Sequence, residues 1–345
     1  MHPAIAALPR HRLFEAPSPY HRLERLERAL GGRVELWIKR EDLLPLAFGG
    51  NKLRNLEFLL GAAIAEGADS IITSGRRWSN HCRLTAAAGA HAGLAVHLVL
   101  SGPPAEAADP ARRSPARSLD ELLGASVIQL PTAGRDARDA AVAEIAGEIR
   151  RAGGRPYVIP VGGTGLPGAF GQVLAAGELL DQASGRGGLP DVVVLPSATG
   201  GTHAGLLAGL RAGGSHAVVH GVLVARPDAE LRPSIAATLA DLGRSLEQSV
   251  PEHEVVLDPE QLGPGYGVPT PAGDAATALL ARAEGIFVDP IYTAKALAGL
   301  IDGVESCRWD GRRVVFWHAG GTPGLFEPLD GPPAPVDPLD GTPAH

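Results

Sequence analysis

The sequence predicts an α/β protein built on parallel-rich sheets flanked by helices, and three observations carry that expectation. Apolar runs of strand length alternate with helical patterns through almost all of the 345 residues. The runs are rich in Val, Ile and Leu and lack polar alternation, as strands covered on both faces require. The composition, 45% hydrophobic and 20% charged, is that of an ordinary globular chain long enough for two lobes.

In chain order the expected strands are Glu35–Lys39, Ser70–Ser74, Ala95–Leu100, Ser126–Leu130, Tyr157–Val161, Asp191–Leu195, Val218–Val224, Glu254–Leu257 and Arg313–Trp317. The expected helices are Asn51–Ala65, Asn80–His91, Ser118–Leu123, Ala137–Arg151, Gly168–Gln182, Thr202–Ala212, Ser234–Leu246, Gly273–Ala283 and Ala294–Glu305. Asn51 is placed as an N-cap, which sets Lys52 in the first turn of its helix. Ser79 or Asn80 is placed as the cap of the next one. Ser101–Pro115, rich in Pro, Ala and Ser, reads as a surface loop, and Ala183–Pro190 as a linker. Residues 328–345 are crowded with Pro, Asp and Gly and read as a disordered tail. The 45 glycines and the scarcity of aromatics (4%) point to small-residue packing and many loops.

Several function classes are set aside by the same chain. A net charge of −7 and the absence of a basic run with interleaved aromatics argue against nucleic acid. No apolar run reaches membrane-spanning length, and Met1–Pro19 lacks a secretory apolar segment, so a cytoplasmic protein is expected. Cys82 and Cys307 are far apart, so neither a disulfide framework nor a structural metal site is expected. Cys82 reads as a small buried thiol rather than a redox group, and His216 and His220 as structural.

The chemistry concentrates in four places. Of the 31 lysines and arginines only Lys39, Lys52 and Lys295 are lysine, so a retained lysine is a candidate for chemistry that a guanidinium cannot do. Lys52 follows Gly49-Gly50-Asn51, where the two glycines leave room for something flat to approach the backbone. Ser197-Ala198-Thr199-Gly200-Gly201-Thr202-His203 joins an expected strand to an Ala/Leu/Gly helix and reads as a phosphate cradle without the ending of a nucleotide P-loop. Together with a lone reactive lysine it matches a phosphorylated aldehyde, pyridoxal 5′-phosphate. Trp78-Ser79-Asn80-His81-Cys82-Arg83 can bind a carboxylate at a helix start. Gly163-Thr164-Gly165-Leu166-Pro167-Gly168 satisfies a dinucleotide fingerprint, with Asp181 at roughly the spacing of the acidic partner. Asp181 sits in a helical stretch, however, and a lobe-crossing loop near the substrate is the reading preferred.

These pieces, with Ile38-Lys39-Arg40-Glu41-Asp42, Gly265-Tyr266-Gly267-Val268-Pro269, Asp289-Pro290-Ile291-Tyr292-Thr293-Ala294-Lys295 and His318–Pro323, resemble the pyridoxal-phosphate enzymes of the tryptophan synthase β-like fold type II. The branch is the one that holds D-cysteine desulfhydrase and 1-aminocyclopropane-1-carboxylate deaminase. The resemblance implies two open twisted sheets, a large cofactor-binding domain of residues 1–53 plus 164–327, a small domain of residues 54–163, and a homodimer. It makes Lys52 the Schiff-base lysine that also moves protons at Cα, and Ser79 a substrate contact that can share in proton transfer. Asn80 would bond the cofactor's phenolic oxygen, and Ala198, Thr199, Gly200, Gly201 and Thr202 its phosphate. Tyr266 and Tyr292 would line the substrate pocket, with Trp78 and His81 beside them.

Two departures from the family pattern stand out. Trp78, preceded by Arg76 and Arg77, replaces a glutamine, which suggests a bulkier and more cationic pocket. Ala319 replaces a threonine that faces the pyridine nitrogen, leaving water or Thr293 as partner. The implied activity is β-elimination from a small β-substituted amino acid, D-cysteine giving pyruvate, ammonia and sulfide. An anionic substrate such as L-cysteate, aminocyclopropane carboxylate, a catalytically altered homologue and a nicotinamide enzyme using Gly163–Gly168 are the alternatives.

Overall fold

A computed structural model describes residues 2–102, 114–131 and 134–329. Most of the expected tail and of the loop Ser101–Pro115 lies outside the described residues. Two sheets form, as their apolar runs predict. The larger contains β1 (Tyr20–Arg22), β2 (Glu35–Arg40), β7 (Val192–Ser197), β8 (Val218–Leu223), β9 (Val256–Asp258) and β10 (Arg313–His318), in the order β1-β2-β10-β7-β8-β9. The smaller has the order β5-β4-β3-β6, from β3 (Ser70–Arg76), β4 (Ala95–Ser101), β5 (Ser126–Leu130) and β6 (Pro156–Val158). Every pairing is parallel except β1 with β2. The last described strand, β10, inserts between β2 and β7, so strands far apart in sequence meet at the centre of the large sheet.

A strand that is apolar throughout still alternates, because successive side chains serve two different cores. Val315 and Trp317 face one side of the large sheet with Val193, Leu195 and Val219. Val314 and Phe316 face the other with Leu36, Ile38 and Val194. The first side is covered by α7 (Ala169–Ser184), α8 (Gly201–Ala212) and α9 (Asp228–Leu246); the second by α2 (Glu24–Ala29), α10 (Pro271–Glu284) and α11 (Thr293–Glu305). The small sheet packs on α3 (Lys52–Ala65) and α4 (Asn80–Ala92) and, opposite them, on α6 (Arg135–Arg151). The remaining described helices are α1 (Pro3–Ala6) and α5 (Pro115–Leu122).

Small residues set how closely α7 and α8 approach. A Cβ on Gly205 would lie 2.5 Å from Gln172 Cβ, and one on Gly209 2.7 Å from Ala176 Cβ, so the i, i+4 glycines of α8 form a flat seam. That seam sets the start of α8, where the segment Ala198–Thr202 enters the helix.

Several boundaries differ from expectation. The strand expected at Tyr157–Val161 ends at Val158, and the chain turns at Val161–Gly163, where Gly162 has φ +72°. The strand expected at Glu254–Leu257 begins at Val256 after a helical turn at Glu252–Glu254. Helix α9 starts at Asp228, six residues early, and carries Pro233 inside it. The short elements β1, α1 and α2 carry too little periodicity to be read from sequence. No helix among the described residues is long and apolar enough to cross a membrane.

Beneath the two sheets a buried ion network ties α3 to β2 and α7. Arg54 Nε donates to Glu41 Oε2 at 2.5 Å, and its Nη groups donate to Glu41 Oε1 at 2.8 Å and to both oxygens of Glu178 at 2.9 Å. Lys39 joins through Glu178, the Ser18 carbonyl (2.7 Å) and Gln182 (2.7 Å). Removing one partner strands the others in low dielectric. Arg54→Met should therefore cost about 3–5 kcal/mol, read as a lowered urea midpoint. A midpoint equal to that of the wild type would show that the network does not support the fold.

Candidate active site

The C-terminal ends of the strands of both sheets open on one cavity of about 200 Å³, the place where open parallel sheets bind ligands. Gly75 and Arg76 reach it from β3, Pro196–Gly200 from β7, Ala225 and Arg226 from the end of β8, and Ala319 and Gly320 from the end of β10. Asn51 and Lys52 enter from the start of α3, and Ser79, Asn80 and His81 from the start of α4.

Lys52 is the one lysine of three that lines this cavity. Lys39 is committed to the buried network, and Lys295 donates to the carbonyls of Leu262 (2.8 Å) and Gly265 (3.1 Å). Lys52 Nζ lies 3.5 Å from Thr202 Oγ1 and pairs with no carboxylate among the described residues. Burial pushes its ammonium down to about 8. Asn51 occupies the N-cap position of α3, as expected, and Lys52 opens the helix, but the Asn51 side chain makes no capping bond because it is used elsewhere. Its Nδ2 donates to Thr202 Oγ1 at 2.8 Å, its backbone N–H to Ala319 O at 3.0 Å, and its carbonyl accepts from Gln172 Nε2 at 2.9 Å. The glycines before it are needed by the protein's own turn rather than by a ligand. A Cβ on Gly49 would fall 2.1 Å from Asp42 O, and one on Gly50, at φ +137°, 2.8 Å from Leu84.

The segment Ala198–Thr202 leads from β7 into α8, with Gly200 at φ +89°. The N–H groups of Gly201, Thr202 and His203 open the helix and have no preceding turn to bond. Ala198 O accepts from Arg226 Nε at 3.3 Å, and Thr199 O from Ser234 Oγ at 3.2 Å. Below the loop, Ser197 Oγ and His203 Nδ1 are 3.0 Å apart, and burial holds the His203 imidazolium down at about 3, so the ring is neutral. The donor set, helix N–H groups with Thr hydroxyls, the Arg226 cation and no carboxylate among the described lining residues, fits a phosphate dianion. Lys52 beside the same loop fits an aldehyde on the same small ring.

At the start of α4, Ser79 Oγ accepts from the Cys82 N–H at 3.3 Å, making Ser79 the cap. Asn80 Oδ1 accepts from Arg83 Nη2 at 3.1 Å, which leaves Nδ2 as the group Asn80 can donate. Thr73 donates to Ile159 O (2.9 Å), so it accepts from His81 Nε2–H (2.9 Å), and His81 Nδ1 is left as a free acceptor. Burial, and then the charge of Lys52, keeps this imidazole neutral, with its pKa down at about 3. Burial pushes the Cys82 thiol up to about 12, as its reading as an inert thiol expects.

Tyr266 and Tyr292 share a hydroxyl–hydroxyl hydrogen bond in the cavity wall. Burial raises both phenols above the ordinary tyrosine range, so both keep their protons. Asp289 sets Tyr292, accepting the N–H groups of Ile291, Tyr292 and Thr293 at 2.9 to 3.0 Å. Thr293 is not available to a ligand: its hydroxyl donates to Asp289 Oδ1 at 2.6 Å and accepts Asp289 N–H at 2.8 Å. The expectation that it could replace the missing threonine at Ala319 fails for that reason.

Trp78 also differs from expectation. It is buried behind the wall, edge-on to Tyr266 at 6.0 Å, against Gly267, and flanked by the guanidinium groups of Arg76 (5.0 Å) and Arg77 (4.8 Å). Arg77 turns away to pair with Glu327, so of the two arginines only Arg76 reaches the cavity. Gly163–Gly168 forms the crossing loop between the sheets and no nucleotide turn, for Asp181 sits within α7. Arg83 and His203 fall inside motifs read from the sequence but without a role there, while Gln172 and the lining arginines Arg135, Arg138 and Arg226 were missed, because no local motif marks a residue that acts across the fold.

Comparisons with known proteins agree with this geometry. Residues 11–320 match the family described as pyridoxal-phosphate dependent enzyme. The chain is 42% identical to D-cysteine desulfhydrase of Klebsiella pneumoniae (strain 342) over 93% of its length and 97% of the relative's, and equally so to that of Salmonella typhi. A solved structure of an ACC deaminase homologue superposes with a TM-score of 0.85 at 33% identity, covering 94% of this chain and 97% of that one. Threonine deaminase isoform 2 from Solanum lycopersicum, at 18% identity and a TM-score of 0.63, covers 93% of this chain and 81% of its own and shares the fold. The chain belongs to the pyridoxal-phosphate dependent enzyme family, with the fold of its type II members.

Proposed function

We propose that this protein is a pyridoxal-phosphate-dependent lyase that performs β-elimination on a small β-substituted amino acid, as its relatives named D-cysteine desulfhydrase suggest. The carrying observation is that the single cavity lysine, Lys52, stands 3.5 Å from a phosphate-cradle threonine. For D-cysteine the products are pyruvate, ammonia and sulfide. We read residues 1–53 plus 164–327 as the cofactor-binding domain, 54–163 as the small domain, and the working form as a cytoplasmic homodimer.

When bound, pyridoxal phosphate supplies an aldehyde that condenses with amines and a ring that accepts the electron pair left at Cα. Ala198–Thr202 would hold its phosphate, and Asn80 Nδ2 would be the donor for its phenolic oxygen. The helix start at Ser79–His81 receives the substrate carboxylate. Lys52, neutral above about pH 8 because it is buried, takes the proton from Cα, with Ser79 Oγ next to it as a second carrier. The protonated Tyr266–Tyr292 pair holds a proton at the leaving group on Cβ.

Three outcomes are expected. The cofactor-loaded protein releases pyruvate and ammonia from D-cysteine, and Lys52→Ala lowers this by several orders of magnitude. Cofactor bound with no pyruvate from a broad amino-acid panel favours the altered homologue, to which Ala319 points. For cofactor-free protein, the rate of pyridoxal-phosphate capture follows the neutral Lys52 amine. It rises about tenfold per pH unit below about 8 and levels above it, and a flat profile contradicts the role of the amine. Thr202→Val removes a cradle donor and strands Asn51 Nδ2, so the cofactor dissociation constant rises roughly tenfold. An unchanged constant would remove Thr202 from the cradle.

A further inference from the structure

After β10 the chain crosses from the large sheet to the small one and ends its described part there. The crossing starts at Ala319 and Gly320, which line the cavity. Gly321, at φ +100°, lies against two groups of the site: a Cβ there would fall 2.5 Å from Asp289 Oδ1 and 2.8 Å from Asn80 Nδ2. A helical turn, Thr322–Phe326, then carries the chain to Glu327. The Glu327 carboxylate is buried and accepts from Arg77 Nη1 at 2.5 Å, Ser114 Oγ at 2.7 Å and the Ala116 N–H at 3.2 Å. Arg77 Nη2 donates to the next carbonyl, that of Pro328. Ser114 caps α5, and a helix start of this kind favours a carboxylate. Phe326 stays 74% exposed, so polar bonds and not apolar packing hold this end of the crossing.

Both ends of the crossing bear on the tyrosine pair. At its start, Asp289 accepts the Tyr292 N–H and so sets that residue. At its far end the Arg77 guanidinium lies 4.8 Å from the Trp78 ring, which stands edge-on to Tyr266 at 6.0 Å and against Gly267. Tyr266 shares its hydroxyl bond with Tyr292. Without the Glu327 carboxylate, Arg77 would be a buried cation stripped of its ion pair. It would be drawn towards water and away from the face of Trp78.

We propose that Glu327 is a positioning residue for the leaving-group end of the site: it straps residues 321–328 across the two sheets and, through Arg77 and Trp78, holds the Tyr266 hydroxyl in register with that of Tyr292. The catalytic consequence rests on the lyase reading above. With D-cysteine the Cβ–S bond breaks with its electron pair left on sulfur, which takes a proton from the tyrosine pair. The Cα proton passes to Lys52, and solvent returns a proton to the pair. One water is consumed overall, giving pyruvate, ammonia and hydrogen sulfide, with no oxidant or reductant. A chloride on Cβ departs with its pair and needs no proton, so its loss does not depend on how the tyrosines are held.

The test compares kcat for D-cysteine with kcat for β-chloro-D-alanine in cofactor-loaded wild type, Glu327→Gln, Trp78→Phe, Tyr266→Phe and the double variant Tyr266→Phe/Glu327→Gln. Glu327→Gln should lower the ratio of the two rates about tenfold, and adding it to Tyr266→Phe should lower that ratio no further. Trp78→Phe keeps the Arg77–Glu327 pair, so it reads the same link, with the same fall, even if Glu327→Gln does not fold. Hydrogen exchange in the full chain gives a readout apart from turnover. In Glu327→Gln the amides of residues 114–118 and of residues 265–268 should both exchange about tenfold faster than in the wild type. An equal fall for both substrates, additive effects with Tyr266→Phe, or faster exchange confined to residues 114–118 overturns the positioning role and leaves the lyase reading intact. No pyruvate from either substrate with the wild type overturns the lyase reading, and exchange at residues 265–268 then decides by itself whether Glu327 holds Tyr266.

Discussion

Asn51 is the joint on which the site depends. Its N–H, carbonyl and side chain each bond a different part of the fold: the end of β10, helix α7 and the first turn of α8. These three bonds fix the first turn of α3, and so the Lys52 backbone, against the cradle for the phosphate. Gly50 and Gly320 make the contact possible, since a Cβ on Gly320 would sit 2.6 Å from Gly50 Cα. Arg54, two residues past Lys52, anchors the same turn to Glu41 and Glu178 from below. The amine is placed by backbone and buried polar bonds, not by an ion pair of its own.

That arrangement separates the charges of the site. Cations with carboxylate partners (Lys39, Arg54 and Arg77) lie in the supporting layer and set geometry. Lys52, Arg76 and Arg226 face the cavity without forming ion pairs to carboxylates among the described residues, and so keep their charge or reactivity for a ligand. His81 and His203 are kept neutral by burial, so they act as fixed hydrogen-bonding groups and not as proton switches near neutral pH. On the proposed reading, the protons that move are then those of Lys52, Ser79 and the two tyrosines.

Much of this was legible in the chain. Strand–helix alternation located nearly every long element within a few residues, because doubly buried strands and amphipathic helices leave strong local patterns. Lysine rarity singled out Lys52, which lines the cavity, and the small-residue run Ala198–Thr202 enters the start of α8 on the same cavity. What escaped is what depends on distant parts of the chain. Asn51 stands at the cap position that the sequence assigns it, yet Thr202, 151 residues on, claims its side chain in place of the helix N–H groups. Trp78 looked like a pocket residue by position, but Gly267 offers it a berth behind Tyr266. Arg138 lies in an ordinary polar helix, and only the parallel register of β3 and β4 brings it to Arg76.

The most direct measurement is to load the protein with pyridoxal phosphate, reduce it with borohydride, and map the pyridoxyl label by peptide mass spectrometry. A single labelled lysine, Lys52, is the expected result. Label on Lys39 or Lys295, or no labelled lysine at all, contradicts it.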